Sequence, residues 1–288
     1  MRLIKNDNQD FVSFKDLVSD YSASLDKLNL PYWIAIEEDG LLGLVVIGKE
    51  PIRLLSPIGT TVCSIQVTNY DLSISLATEF AEKALTLAEE ESAAYVFVNI
   101  PASHDSFVKG FEQAGIKELA NTYLMECELK EDYNLTGNLT FERVERENAV
   151  DFLQILRHFM SGSPDNVARM ILENLKDVPE EFLNMWYEDE LLYTVSLDDS
   201  QVGVLDLCPT GAMSIANIGV SPESRGKGYG REIMQFALKT LKNNGAQKAG
   251  LRVHVDNKTA IHLYESLGFA SAAQFKALIW WNPTYSQS

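Results

Sequence analysis

The stretch VSPESRGKGYGREI, residues 220–233, sets glycines at 226, 228 and 230 between a proline-broken apolar run and an amphipathic one. A strand ending at the proline, alternate glycines and a helix starting near Tyr229 leave the first N–H groups of that helix with no side chains in front of them. Those groups lack partners inside the helix, and with the positive end of its dipole they form an anion site. Glycine also permits the positive φ values such a loop needs. The spacing is not that of a Walker loop, GxxxxGK[ST], nor of the GxGxxG that opens a dinucleotide-binding unit. A flexible turn before a helix has the same local pattern, so the surroundings must decide.

The surroundings are basic in an acidic chain. Over 288 residues the formal net charge is −17, which argues against nucleic acid or an anionic membrane as the main partner, since both demand a basic surface. From Pro222 to Lys258, however, eight basic residues face three acidic ones, a local balance of +5 that leaves −22 for the rest. Such an island predicts one site for an anionic ligand. The start, MRLIKNDNQDF, has no apolar core of signal-peptide length, and no apolar run approaches the roughly 20 residues that span a bilayer. A cytoplasmic protein is expected. Cys63, Cys127 and Cys208 are far apart, without CxxC spacing or clustered histidines, so neither a disulfide framework nor a metal site is implied.

Outward from the glycine run, periodicity gives an ordered set of elements. The first half opens with polar and helical material to Asn29, followed by two strands turned at 38–40, the apolar stretch IRLLSPIGTTVCSIQV, and a helix from Ser73 to Glu90. The strand AAYVFVNI, a helix over 104–114 stopped by Gly115, and the strand TYLMECEL complete it. The second half repeats that grammar: the strand LTFERV, helices ENAVDFLQILRHFM and DNVARMILENL, a hairpin turned at Asp198-Asp199, the strand MSIANIGV, a helix from Tyr229, the strand GLRVHV, the helix TAIHLYESLGF and the strand FKALIWW. Two copies of one α/β unit, 1–135 and 136–288, joined near Leu135 to Leu139, are expected. Where the second has RGKGYG the first has QVTNYDLS, and from Thr60 to Gly115 it carries eight acidic residues against two basic ones. If the halves are copies, only one retained an anion site.

The pattern Val220-x-Pro222-x-x-Arg225-Gly226-x-Gly228-x-Gly230 resembles the acyl-CoA-binding motif of the GCN5-related N-acetyltransferase (GNAT) family, V-x-P-x-x-[RQ]-x-x-G-x-[GA]. Downstream, Asn257-x-x-Ala260-x-x-Leu263-Tyr264-x-x-x-Gly268-Phe269 is similar to the family's second signature. The resemblance covers about Leu139 to Trp281; the first half shares element order only. It implies an α/β fold of two GNAT-like domains, each a mixed, mostly antiparallel central sheet flanked by helices. The fourth and fifth family strands, here MSIANIGV and GLRVHV, would splay into a wedge in the second copy. It further implies acetyl-CoA as cofactor, its pyrophosphate on the amides of Gly226, Lys227, Gly228, Tyr229, Gly230 and Arg231, and its pantetheine arm alongside Ile218, Gly219 and Val220. Arg225 would contact phosphate or pair with Glu223, and Asn257 would cap the following helix, position the cofactor, or do both.

The activity that the resemblance implies is acetyl transfer to a primary amine by direct attack in a ternary complex. A small-molecule or peptide acceptor is expected, and the acidic remainder would suit a cationic one; the competing reading is a non-catalytic acyl-CoA-sensing or protein-interaction module. Amine acylation needs a neutral amine, stabilisation of the oxyanion and a proton for the departing thiolate. Tyr264, at the family's LYxxxGF position, fits the last role, although its helix stripe with Ala260, Ile261 and Leu267 equally suits a half-buried core tyrosine. No base is assigned: Asp206 and the helical acids of the 170s and 180s are candidates that read better as solvated surface groups. His254 reads as a packing residue on a buried strand, His262 as an exposed helix-face residue, and Cys208 lacks the partners of a nucleophile.

Overall fold

The computed structural model describes the chain except for residues 39, 132, 134, 136, 176, 177, 212 and 286–288, and at residue 20 it describes the backbone only. Its contacts group the chain into two compact units: Met1–Pro51, Ser56–Asn121 and Phe275–Ser288 form the first, Ile52–Leu55 and Thr122–Gln274 the second.

The first unit contains β1 (Arg2–Lys5), α1 (Lys15–Lys27), β2 (Tyr32–Glu37), β3 (Gly40–Lys49), β4 (Thr61–Val67), α2 (Ile74–Glu90), β5 (Tyr95–Pro101) and α3 (Asp105–Gln113). Strands β1 to β4 are antiparallel neighbours, and β4 then pairs in parallel with β5 from Cys63↔Val96 to Ile65↔Val98. Strand β2 is buried on both faces: Tyr32, Ile34 and Ile36 join the core around Phe11 and Val18, while Trp33 and Ala35 join the core built on α2 and α3. Helix α2 starts where the Ser73 side chain accepts from Leu76 N–H, and it buries Ala77, Phe80, Ala81, Ala84, Leu87 and Ala88 at helical spacing. A Cβ on Gly110 would lie 2.5 Å from that of Ala77, so only glycine lets α3 approach α2 this closely.

The second unit contains β7 (Thr140–Arg143), α4 (Ala149–Phe159), α5 (Asn166–Asn174), α6 (Glu180–Asp189), β8 (Leu191–Leu197), β9 (Ser200–Leu207), β10 (Ile215–Val220), α7 (Tyr229–Asn243), β11 (Lys248–His254) and α8 (Lys258–Ser266). An antiparallel sheet runs in the order β10-β9-β8-β7. On one of its faces Leu205, Leu207 and Ile215 pack with Ile233, Met234, Ala237 and Leu241 of α7. On the other, Val204 and Leu192 pack with Phe152, Leu156 and Phe159 of α4, Leu172 of α5 and Leu183 of α6.

Two strands change unit along their length. Strand β6 (Lys117–Glu128) leaves the first unit at Asn121, and its remainder pairs antiparallel with β11 from Thr122↔His254 to Glu128↔Lys248. Strand β12 (Ala270–Trp281) enters the first unit at Phe275 and pairs with β5 from Phe275↔Pro101 to Trp281↔Tyr95. In each unit the strand beside the fifth family-type strand is therefore contributed by the other half of the sequence. The contacts do not divide the chain at 135/136, because these pairings join residues 120 or more positions apart and leave no trace in local periodicity. The expected joint at 135–139 lies partly outside the described residues, as does position 39 of the expected 38–40 turn.

The remaining elements follow the sequence expectations with two additions. Strand β1, four residues flanked by charges, and α6, EEFLNMWYED with only Leu183 buried, carry too little periodicity to be read from sequence. The hairpin between β8 and β9 turns at Asp198 and Asp199, both with positive φ (47° and 64°), where Asp is among the few tolerated residues.

Candidate functional site

Strands β10 and β11 are terminal strands of different ladders in the second unit. At their starts Gly250 N–H donates to Ser214 Oγ (3.0 Å); beyond that bond β10 keeps its ladder with β9 and β11 with β6. Each therefore presents an unladdered edge, whose amides can accept or donate to a ligand lying between them. The register of β10 slips between Ile215 and Asn217, a bulge that re-aims the residues after it. In the first unit the corresponding strands β4 and β5 are laddered together over three residue pairs.

The glycine run follows directly. Pro222–Ser224 form a short 3-10 turn, and Gly228 caps α7 in the left-handed region (φ 88°, ψ −5°), with Gly226 also at positive φ (77°). A Cβ built on either residue meets nothing within 4 Å, so the loop opens outward onto empty space. Among the described bonds, none of the backbone N–H groups from Gly226 to Gly230 has a protein acceptor; ladder bonding resumes with Arg231 N–H to Gly228 C=O (3.0 Å). Five successive donors at a helix N-terminus, in a loop with no side chain at three of the five positions, are what a phosphate group requires. Gly230 has a separate reason: its Cβ would sit 3.3 Å from Leu263 Cδ2, so glycine seats α7 against α8.

The other motif residues fall into place around this loop. Arg225 donates through Nε to Val220 C=O (3.2 Å) and through an Nη to Phe159 C=O (2.9 Å), tying the end of α4 to the end of β10. Its guanidinium is thus committed to backbone carbonyls, and no ion pair with Glu223 occurs among the described residues. Arg231 donates to Ser266 Oγ (2.5 Å) on α8, while the Lys227 side chain is exposed. The Asn257 side chain accepts from Ala260 N–H (3.3 Å) and caps α8. Gly219 carries a constraint that sequence reading missed: its Cβ would approach Phe159 Cβ to 2.9 Å and Val204 Cγ2 to 3.1 Å, so β10 can lie under α4 only with glycine there.

Tyr264 is 7% exposed, packs at a tilt on Phe269 (5.9 Å between centroids), and its hydroxyl has no hydrogen-bond partner among the described residues. Burial pushes its phenol up to about 12, so it holds its proton at all physiological pH values. His254 is largely buried, with Nδ1 accepting from Asp256 N–H (3.2 Å), and His262 is exposed, both as expected. Cys208 is half-buried and has its thiol raised by burial and by Glu190, the opposite of a nucleophile's environment. Among the described residues no group of His, Cys, Asp or Glu could hold a metal, and no helix is long and apolar enough to cross a membrane.

Asp206 corrects its sequence reading. It is 1% exposed, on the face of β9 turned to α4, and accepts from Asn217 Nδ2 on β10 (2.8 Å). Burial, then Glu190, hold its carboxyl well above the usual range. No sequence signal marks this burial, because the partners come from β10 and the end of α6.

With fold and site described, the comparisons place the molecule. Residues 152–269 match the model of the acetyltransferase (GNAT) family. A mycothiol acetyltransferase of Nocardiopsis dassonvillei is 30% identical over 109 residues, 33% of this chain and 32% of that protein. An uncharacterized N-acetyltransferase, YobR, of Bacillus subtilis is 33% identical over 95 residues, 32% of this chain and 34% of that protein. The match thus spans about a third of the length of these curated relatives. Among solved structures, a GCN5-related N-acetyltransferase from Sphaerobacter thermophilus superposes with a TM-score of 0.61 at 16% identity, covering 87% of this chain and 80% of its own. A tandem GNAT protein from the clavulanic acid biosynthesis pathway gives 0.57 at 12% identity, covering 89% and 84%. These two likenesses are of fold.

Proposed function

We propose that the chain transfers an acetyl group from acetyl-CoA to a primary amine by direct attack within a ternary complex, using a single site in the second unit. The observation that carries this reading is the run of five unpartnered N–H groups from Gly226 to Gly230, opening where β10 and β11 part. Those amides would hold the pyrophosphate and the free edge of β10 at Ile218 to Val220 the pantetheine arm. Arg225 then acts as a latch that shapes the loop, and Asn257 as a cap that sets the start of α8.

Acetyl-CoA supplies the acetyl thioester; the protein supplies orientation and protons. Free amides along the β10 edge are fixed donors for the charge that develops on a carbonyl oxygen, and they need no reorganisation. Tyr264, on α8 and kept protonated by burial, is the donor toward the departing sulfur. The acceptor amine would approach from the α4 side, where Asn217 and Gly219 face and where a cleft between α4 and α5 is lined by Arg157, His158, Ser161, Arg169 and Glu173. The first unit, with β4 and β5 laddered and Ser73 filling the end of α2, is a counterpart of this domain without a cofactor site. Calorimetry with acetyl-CoA, followed by free-thiol release with a panel of amines, tests the reading. Micromolar binding with thiol release is expected; binding without release from any amine would instead assign a sensing module, and no binding would refute both.

A further inference from the structure

Two carboxyl oxygens of the second unit, Asp206 Oδ1 and Glu190 Oε2, are buried with no hydrogen-bond donor from the protein. The strand register brings them together. Leu192 of β8 and Asn217 of β10 lie opposite Asp206 on either side of β9, and Glu190, two residues before Leu192, is the diagonal neighbour on the same face. Asn217, Asp206 and Glu190 thus form a row across the sheet: Asn217 Nδ2 donates to Asp206 Oδ2 (2.8 Å), and the Asp206 and Glu190 carboxyls stand within hydrogen-bond reach of each other. Arg143 of β7 is the cation that acts on Asp206, and its Nη groups donate to Glu190 C=O (2.7 Å) and Leu192 C=O (3.2 Å). The other titratable groups nearby are Asp189, at the end of α6, and Cys208, after β9. Helices α4, α5 and α6 turn apolar side chains to this face of the sheet, among them Phe152, Leu156, Leu172 and Leu183. No His, Cys, Asp or Glu cluster among the described residues is suited to a metal. Two ionised carboxylates in this position would repel each other in a low-dielectric interior, each with an oxygen that nothing satisfies. One proton between them removes both faults, since an Asp206 hydroxyl donates to Glu190 while the other Asp206 oxygen still accepts from Asn217.

We propose that Asp206 is a carboxylic acid in the folded protein and that, bridging Glu190 and Asn217, it is a pH-sensitive clamp on β10. The clamp acts where β10 is irregular. Ile215 opposes Leu207 and Asn217 opposes Asp206, so Ala216 is the extra residue of the bulge and Asn217 the first residue after it. A cross-strand side-chain bond at that position fixes the register with which Ile218 to Val220 continue along β9. When the pair loses its proton to water it passes from one negative charge to two. The donor between the carboxyls is then gone, and their repulsion is relieved by moving Asp206 together with the Asn217 amide that it holds. Burial, then Glu190, raise the Asp206 carboxyl, which keeps the clamp closed at pH values where an exposed aspartate is already ionised. The segment it governs is the edge to which the proposed function assigns the cofactor arm, but the clamp is a property of the chain without ligand.

The test uses the full chain without ligand, as wild type, Asp206→Asn and Glu190→Gln. An asparagine at 206 reproduces both bonds, its amide donating to Glu190 and its carbonyl accepting from Asn217, with no proton to lose; a glutamine at 190 gives Asp206 a donor and so weakens its hold on the proton. A carboxyl raised in the folded state contributes stability fully below the ordinary aspartate range and loses it as pH rises through the folded value. The folding constant of the wild type relative to Asp206→Asn, from urea denaturation against pH, should therefore fall by up to about tenfold per pH unit between those two pKa values and then level off. The same ratio for Glu190→Gln should fall over a narrower pH range. Hydrogen exchange of the β10 amides reads the clamp itself: once the proton is lost, protection in the wild type should drop by about fivefold relative to Asp206→Asn, the equivalent of one hydrogen bond. Should a variant not fold, the carboxyl resonances of wild-type protein isotopically labelled at aspartate show whether one of them titrates above the ordinary range. A folding ratio that is flat with pH, or no such aspartate, would overturn the protonated Asp206, and a fall equally wide for Glu190→Gln would overturn the bridge to Glu190. Equal protection of β10 in wild type and Asp206→Asn at every pH would overturn the clamp. Coenzyme A enters none of these readouts, so failure here is distinct from failure of the acetyl-transfer reading.

Discussion

Replacing Gly228 by leucine separates ligand binding from folding at the anion cradle. Gly228 sits at φ 88°, where an L-residue costs roughly 1–2 kcal/mol. Its Cβ would meet no atom within 4 Å, so no clash adds to that figure. For a unit of this size the strain corresponds to a melting-temperature fall of about 2–8 °C, which leaves the fold populated. The consequence for binding is larger, because a leucine puts a bulky side chain into open space within the run of free amides 226–230. Loss of two charge-assisted hydrogen bonds at about 1.5–3 kcal/mol each weakens coenzyme A by at least two orders of magnitude. Calorimetry with coenzyme A and thermal unfolding of the same sample measure both effects. Affinity within threefold of wild type in a folded variant would show that the phosphate groups bind elsewhere, and an unfolded variant would show that the loop carries stability the geometry does not account for.

Tyr264→Phe should lower kcat by one to two orders of magnitude with unchanged acetyl-CoA affinity and a stability change below about 1 kcal/mol, since the hydroxyl has no described partner to lose; rapid-quench turnover beside calorimetry checks it. Gly219→Ala forces a Cβ to 2.9 Å from Phe159 and should cost about 1–3 kcal/mol by pushing α4 off β10, read by urea denaturation. Arg225→Ala should cost about 1–2 kcal/mol through its two carbonyl bonds yet weaken coenzyme A less than tenfold; a loss of affinity matching that of Gly228→Leu would make the guanidinium a direct phosphate ligand.

The glycine loop proposed to hold the cofactor was legible because its geometry is local. Positive-φ glycines, a helix N-terminus and a capping Asn257 are features of a few consecutive residues, and Gly226, Gly228 and Asn257 do in the structure what their spacing predicts. Arg225 was legible only as a charge: whether its guanidinium faces solvent or a carbonyl depends on where the end of α4 lies, 66 residues earlier. The burial of Asp206 was hidden for the same reason. The spacing of Asp206, Asn217 and Glu190 is unremarkable, and on the alternation of one strand a carboxylate reads as solvent-facing until the neighbouring strands are placed.

By itself the sequence determined the order of elements and the open glycine loop at the head of α7, because period and turn chemistry act over a turn or two of chain. Tertiary structure alone decided which strand completes which unit. Strand β11 finds its partner in β6 and β5 in β12, and backbone hydrogen bonds between strands carry no residue code that could announce a partner so far along the chain. It also decided that Asp206 is buried with its carboxyl held above the usual range, since burial, and with it the cost of charge, belongs to the packed surroundings and not to the residue.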